Sequence, residues 1–175
     1  MSMASRRGTR LLVGSSHPIS RAVYDSVLHM SVAIANATGC GKPRERSHAY
    51  RRLKRFCLST AHRGVATAFL LETLADFTSP RRIAIPLYRR ALRAARQAGD
   101  QEHTILISLA ERLVERRQMV EAARCLRMAA RNAKQWHDSE DYLTATRLLR
   151  ALRQPGLSPH TFARLIVAPE ESDAA

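Results

Sequence analysis

Apolar residues along this chain recur every three to four residues in seven separate runs, with polar residues between them. This spacing is the pattern of amphipathic α-helices, which bury one face and expose the other to solvent. Pro86 lies inside the fourth run and predicts a bend or a late helix start, because an interior proline removes one backbone hydrogen bond. The predicted helices cover residues 19–37, 44–61, 65–77, 80–98, 103–116, 119–135 and 140–153.

Residues at the edges of these runs have the chemistry of helix boundaries. Ser79 followed by Pro80 predicts an N-cap and a first helical residue, because the missing N–H of proline costs nothing at that position. Gly99 predicts a helix end, since glycine readily adopts the left-handed conformation. Asp100 and Asp138 are placed to cap the helices that follow them.

The stretch ALRAARQAGD at residues 91–100 reappears in altered form as AARNAKQWHD at residues 129–138, 38 residues later. The same offset aligns Tyr88 with Tyr50, and the pattern extends over residues 27–154. A pair of amphipathic helices recurring at this period predicts an α-helical repeat array. The identical positions are Ala91/Ala129, Arg93/Arg131, Ala95/Ala133, Gln97/Gln135 and Asp100/Asp138.

The order of small and large residues in the second helices resembles the tetratricopeptide-repeat family. A small residue is followed by a large one four positions later and by a small one three positions after that, in the triplets Ala84, Tyr88, Ala91 and Ala122, Leu126, Ala129. Leu109, Ala110 and Leu113 are similar to the first-helix pattern of the family. The first unit departs from the pattern, since Arg46 and Leu53 occupy its small-residue positions.

The resemblance implies an all-α fold, a right-handed TPR-like α-solenoid of about three helix-turn-helix units with a C-terminal capping helix. The expected parts are units at residues 19–61, 65–98 and 103–136 and closing helices at 140–167. Because a terminal repeat needs a cover for its apolar face, we expect Phe162, Leu165 and Ile166 to supply one. Residues 1–18 are predicted to form a basic flexible tail, and residues 168–175 an acidic disordered tail.

Basic residues dominate the charge of the chain, with 29 Lys and Arg against 15 Asp and Glu and a formal net charge of +14. Such a surface attracts acidic proteins, phosphate backbones or anionic lipid without choosing between them. Tyr50 or Phe56 would stack on a base if the ligand were RNA, whereas the alignment of Tyr50 with Tyr88 favours a core position. The candidate phosphate or acidic-surface contacts in this densest basic segment are Lys42, Arg44, Arg51, Arg52, Lys54 and Arg55.

Charged residues on the first helices of tetratricopeptide arrays line the concave surface, so the resemblance makes Arg112, Arg116 and Arg147 candidate partner-binding residues. We therefore expect a non-catalytic scaffold or adaptor that binds an acidic protein or peptide segment. Two alternatives stay open. One is a basic structural component of a nucleoprotein assembly, such as an organellar ribosome, and the other is a bacterial secretion or regulatory chaperone.

No motif in the chain predicts catalysis, a cofactor or a metal ion. TGCGKP at residues 38–43 has a glycine and a lysine in common with phosphate-binding loops, but it lacks their first glycine and their final Ser or Thr. The seven histidines show no spacing that would put two of them on one helix face as metal ligands. We therefore expect no enzyme activity, no cofactor and no metal site.

Cysteine spacing and the leading residues bear on the location of the protein. Cys40, Cys57 and Cys125 are widely spaced, which predicts reduced thiols in an intracellular protein. No run of about 18 apolar residues predicts a membrane span. The stretch before Asp25 is rich in Arg and Ser and has no acidic residue, a composition typical of organelle transit peptides. We expect a cytoplasmic location, with the mitochondrial matrix as the alternative.

Overall fold

The computed structural model describes residues 19–79, 81–154 and 161–162, which form α-helices joined by short turns, with no β-strand among these residues. Each helix overlaps one of the predicted runs, so the all-α prediction is confirmed. The helices are α1 (Arg21–Gly39), α2 (Pro43–His62), α3 (Thr67–Phe77), α4 (Arg81–Ala98), α5 (His103–Glu115), α6 (Met119–Gln135) and α7 (Ser139–Ala151).

Several predicted segments lie outside the described residues. They include the basic tail at 1–18, the acidic tail at 168–175 and the first helical residue Pro80. Of the predicted capping helix, only Thr161 and Phe162 are described. Both are helical, and the Phe162 side chain is fully buried, whereas Leu165 and Ile166 lie outside the described residues.

The described helices belong to two compact units, one within Met1–Gln101 and the other within Glu102–Ala175. In the first unit α1 packs on α2, α2 on α3 and α3 on α4. In the second unit α6 packs on both α5 and α7, and α5 also touches α7. Sequential packing of this kind is compatible with a helical repeat, and the seventh helix exceeds the six that three units contain.

The core of the first unit forms where the apolar faces of its helices meet. Ile34 of α1, Leu53 of α2 and Leu70 of α3 are at most 2% exposed and belong to one cluster of buried side chains. The α3–α4 pair adds a buried polar contact, because the fully buried Tyr88 donates its hydroxyl hydrogen to Asp76 Oδ1 at 2.6 Å. The buried phenol therefore keeps a hydrogen-bond partner, as burial requires.

Several pairs of residues that lie 38 positions apart in α4 and α6 are also buried to the same extent. Helix α4 begins at Arg81 and α6 at Met119, and the large residues Tyr88 and Leu126 are both fully buried. Small side chains let neighbouring helices approach closely, because they leave the groove between ridges open. The alanines at matching positions are all 0% exposed, namely Ala84, Ala91 and Ala95 in α4 and Ala122, Ala129 and Ala133 in α6.

Side-chain caps at the helix starts agree with the sequence prediction at one aspartate and disagree at the other. Asp138 is the N-cap of α7, and its Oδ1 accepts the N–H of Asp141 at 2.9 Å. The prediction for Asp100 is wrong, because the N-cap of α5 is Glu102, whose own side chain makes no capping bond. Asn132 of α6 accepts the first amides of α5 instead, so a neighbouring helix satisfies donors that the local sequence leaves unpaired.

Pro86 lies inside α4, which runs from Arg81 to Ala98, so of the two predicted outcomes the late helix start is wrong and the bend stays a prediction. An interior proline costs a helix about 3 kcal/mol through the lost hydrogen bond and the crowding of its ring. Ala84 and Tyr88 on either side of it are fully buried, and burying one large side chain supplies about 1.5–3 kcal/mol. The apolar face thus keeps the helix continuous through the exposed proline.

Helices α4 and α5 end in the same left-handed geometry with different residues. Gly99 has φ +68°, and the N–H of Asp100 bonds to the carbonyl of Ala95 at 2.9 Å, which is the bond of a Schellman motif. Arg117 has φ +59° after α5, where the next amide bonds to the carbonyl of Leu113 at 2.9 Å. An arginine therefore occupies a conformation that favours glycine.

Exchanging the residue types at these two helix ends is expected to change stability in opposite directions. Gly99→Ala lowers the free energy of unfolding by about 1 kcal/mol, because a Cβ disfavours the left-handed conformation. That Cβ would meet nothing within 4 Å, so the loss is a backbone effect. Arg117→Gly raises the free energy of unfolding by about the same amount. Urea unfolding followed by circular dichroism measures both, and a stabilising Gly99→Ala would contradict this account.

Candidate functional site

Helix α2 carries basic side chains over much of the circumference that its buried residues Leu53, Cys57 and Thr60 do not occupy. Since few positions of α2 are apolar, most of its circumference faces solvent. All six of the predicted contacts in this segment are exposed. We call them the α2 basic surface, which consists of Lys42, Arg44, Arg51, Arg52, Lys54 and Arg55.

Most cations of the α2 basic surface lack a carboxylate partner. Lys42 is the exception, since its Nζ lies 3.0 Å from Glu45 Oε1 and this hydrogen bond raises the pKa of the lysine. An exposed pair of this kind contributes little to stability. Within the part of the chain that the structure describes, no ion pair shorter than 4.0 Å involves Arg44, Arg51, Arg52, Lys54 or Arg55.

An open groove of about 410 Å³ runs beside this surface, between α1 and α2. Arg44, His48 and Arg52 line one side of it on successive turns of α2, and Ala33 and Ala49 contribute small apolar side chains. Glu45 also lines the groove, where its carboxylate pairs with Lys42. Residues four apart on a helix are separated by about 6 Å along the axis. The groove therefore presents a row of nitrogen donors at that interval.

The two aromatic residues of this segment are packed against the protein. Tyr50 and Phe56 are half-buried and pack on the buried cluster of the first unit. The Tyr50 hydroxyl also forms a hydrogen bond of 2.8 Å with Thr78 Oγ1 at the end of α3. The aligned Tyr88 is fully buried, whereas Tyr50 is half-buried at the edge of the core, so the predicted core position holds only in part. Neither ring is presented as a platform for stacking on a nucleic-acid base.

The arginines that the family resemblance singled out lie in the second unit and differ in exposure. Arg112 of α5 has a side chain only 20% exposed, with Nη1 at 3.2 Å from Glu115 Oε1. Arg147 of α7 is half-buried, and Arg116 directly after α5 is exposed. An acidic partner would have to compete with Glu115 for Arg112. Partner binding by these three residues stays a prediction.

A polar cluster around a buried histidine lies where α5 begins, and the sequence did not predict it. His103, the first residue of α5, is 0% exposed. Asn132 Oδ1 accepts the N–H groups of Glu102 at 2.8 Å and of His103 at 3.1 Å, and it lies 3.0 Å from His103 Nδ1. Because an amide oxygen only accepts, the ring hydrogen is on Nδ1. The other ring nitrogen, Nε2, then carries a lone pair in the neutral imidazole.

Two carboxylates face that second nitrogen. Asp138 Oδ2 lies 3.4 Å and Asp141 Oδ2 3.5 Å from His103 Nε2. Nε2 is buried and forms no hydrogen bond with any described residue. The histidine and the aspartates are more than 30 positions apart in the chain, so helix periodicity could not bring them together. The only local hints of this cluster in the sequence were a histidine at the start of α5 and two aspartates at the start of α7.

The buried thiol of Cys57 is not an activated nucleophile. Cys57 and Cys125 are buried, Cys40 is exposed, and none forms a disulfide. Burial raises the pKa of the Cys57 thiol to about 12, because the thiolate would be desolvated. This thiol therefore stays protonated at neutral pH, and only the thiolate is a strong nucleophile.

Comparison with known proteins identifies no relative. No family model, no curated protein and no solved structure matches this chain. The tetratricopeptide resemblance thus rests on the paired helices and their residue pattern. None of the described helices combines the length and apolar character that crossing a bilayer requires.

Removing the Asn132 acceptor is expected to destabilise the second unit. Asn132→Ala lowers the free energy of unfolding by about 2 kcal/mol, because it leaves the first amides of α5 and the imidazole without their partner. Asn132→Asp keeps an acceptor oxygen at a helix N-terminus and is expected to lose less than half as much. Urea unfolding compares the two, and equal losses would show that the acceptor oxygen is not the source of the stability.

Proposed function

We propose that this chain is a non-catalytic protein-binding scaffold whose α2 basic surface holds an acidic segment of a partner protein. The observation that carries the proposal is the group of exposed cations on α2 that no carboxylate of the described residues neutralises. A cluster of unpaired charges of one sign raises the local concentration of opposite charge and accelerates association. The net charge of +14 acts in the same direction.

The groove beside α2 fits an extended acidic segment. Side chains on one face of an extended chain recur about every 6.7 Å. The nitrogen donors of Arg44, His48 and Arg52 recur at about 6 Å along the helix axis. Carboxylates at alternate positions of the segment can therefore meet successive turns of α2. Ala33 and Ala49 leave room for its backbone to approach the groove floor.

The packing of the aromatic residues favours a protein partner over single-stranded RNA. Single-strand binders stack bases on exposed aromatic rings, each stack contributing about 1–3 kcal/mol. Tyr50 and Phe56 are packed on the core of the first unit. The basic structural component of a nucleoprotein assembly is the alternative function, and it would depend on phosphate contacts alone.

The scaffold itself is proposed to be a TPR-like helical array. Its support is the pairing of helices within each unit and the fully buried alanines that recur 38 residues apart. Three free cysteines, two of them buried, fit a reducing compartment, so we place the adaptor inside the cell. The absence of a thiolate at Cys57 fits a role without covalent catalysis.

Charge reversal on α2 tests the proposal. A fluorescent peptide with glutamate at alternate positions is expected to bind the full chain, and Arg44→Glu with Arg52→Glu is expected to weaken it by about tenfold or more in fluorescence anisotropy. The matched control is Arg90→Glu with Arg93→Glu, which makes the same change of charge at exposed positions of α4 in the same unit. We expect the control to weaken binding by less than about threefold.

The outcomes separate the two candidate functions. Equal weakening by both double variants would mean that net charge, and not the α2 basic surface, attracts the peptide. An RNA oligonucleotide that binds with a steep dependence on salt, together with no binding of the peptide, would favour the nucleoprotein alternative. A peptide with glutamine in place of glutamate controls for apolar contacts.

A further inference from the structure

The cluster around the buried His103 at the start of α5 has the donor set of a metal site, with its two aspartates partly exposed. His103 contributes Nε2, and Asp138 and Asp141 contribute one carboxylate oxygen each. One donor atom from each of the three residues lies within 4.8 Å of the others. The His103 side chain is 0% exposed, and its Nε2 lies within 3.5 Å of both carboxylates without a hydrogen bond to any described residue.

We propose that His103, Asp138 and Asp141 bind one divalent transition metal ion of the Zn²⁺ class. The imidazole is prepared for this role, because Asn132 Oδ1 holds the ring hydrogen on Nδ1 and leaves the lone pair of Nε2 for the cation. A histidine that ligates a metal through one nitrogen almost always donates its other N–H to an oxygen acceptor, which also orients the ring.

The distances favour a metal ion over a shared proton. Charge-assisted N–H to carboxylate hydrogen bonds are about 2.7–2.9 Å long. The separations of Nε2 from the two aspartates are 3.4 and 3.5 Å, which are longer and nearly equal. Zn²⁺ bonds to His nitrogen and Asp oxygen are about 2.0–2.2 Å, so neighbouring donors around a tetrahedral ion lie about 3.4 Å apart. The two nitrogen–oxygen separations match edges of such a tetrahedron, and the two carboxylate oxygens lie within 4.8 Å of each other.

Charge balance also favours a divalent cation. The lone pair of His103 Nε2 and the carboxylate oxygens 3.4 and 3.5 Å from it repel one another, and a positive charge between them removes that repulsion. One Zn²⁺ ion and two carboxylates have a net charge of zero, which lowers the cost of burying the group. Asp138 can serve both roles, since Oδ1 caps α7 while Oδ2 faces His103.

The nature of the donors selects the class of metal. Imidazole nitrogen suits Zn²⁺ and its transition-metal neighbours, whereas Mg²⁺ and Ca²⁺ prefer oxygen donors alone. Three protein donors leave a fourth tetrahedral position for water. The ion would join the first residue of α5 to the start of α7, all within the second unit. This site is independent of the peptide groove on α2, and its test needs no partner protein.

Zinc titration of the metal-free full chain tests the proposal. The protein is made without a histidine tag and with Cys40→Ser, which removes the exposed thiol. We expect one Zn²⁺ per chain in isothermal titration calorimetry, and a rise in Tm of about 5 °C or more at a Zn²⁺ concentration of 100 times Kd. Mg²⁺ is expected to leave Tm unchanged.

Isosteric variants separate ligation from folding. Asp138→Asn is expected to weaken Zn²⁺ binding by about tenfold or more, and the pair with Asp141→Asn by about 100-fold. Asparagine caps helices as well as aspartate does, and its amide N–H can donate to His103 Nε2. The Tm of the metal-free Asp138→Asn protein is therefore expected to equal or exceed that of the parent. His62→Gln, at an exposed histidine, is the matched control and keeps full affinity.

Three results would contradict the proposed metal site. Failure to bind Zn²⁺ at one ion per chain would overturn the proposal, and so would unchanged affinity in the double aspartate variant. If the Tm of the metal-free protein instead rises as pH falls while Zn²⁺ has no effect, the group between the carboxylates is a proton on Nε2. Substitution with Co²⁺ adds a direct readout, since tetrahedral ligation gives visible absorption that the double variant should lose.

Discussion

Close helix contact through alanine is the constraint on which the rest of this structure depends. In α4 and α6 the positions with no solvent exposure are occupied by alanine, with one large residue, Tyr88 or Leu126, between them. Alanine combines the highest helix propensity with the smallest side chain that still buries apolar surface, so it permits short distances between axes. The 38-residue period is therefore a period of packing, and the polar residues between the alanines are free to vary.

Because few positions on each helix need to be apolar, many positions remain for arginine at the surface. Helix α2 buries only Leu53, Cys57 and Thr60, and the remaining positions are left for basic side chains. In the second unit charged groups lie further inside, where Arg112 pairs with Glu115 and His103 faces two aspartates. The two units thus offer different chemistry: a solvated cationic face suited to an acidic segment, and a partly buried set of nitrogen and oxygen donors suited to a cation.

Asn132 connects helix geometry with the buried cluster. It satisfies the first amides of α5, which no local side chain caps, and it also orients the imidazole of His103. A single amide oxygen therefore determines where α5 begins and which ring nitrogen carries the lone pair. Capping rules expected Asp100 to fill the first role, because they consider only neighbours in the chain. A residue from α6 can replace it because helix packing brings distant side chains to the same helix end.

The helices, their bounds within a few residues, the buried alanines, the Asp138 cap and the exposed cations of α2 were predictable from the sequence alone. Each depends on periodicity or on residues a few positions apart, and such local rules can be read from the order of residues. Tertiary structure decided what depends on distant residues meeting. It kept α4 continuous through Pro86, and it brought His103 to Asn132 and the α7 aspartates. These arrangements follow from packing between helices, which the order of residues does not display.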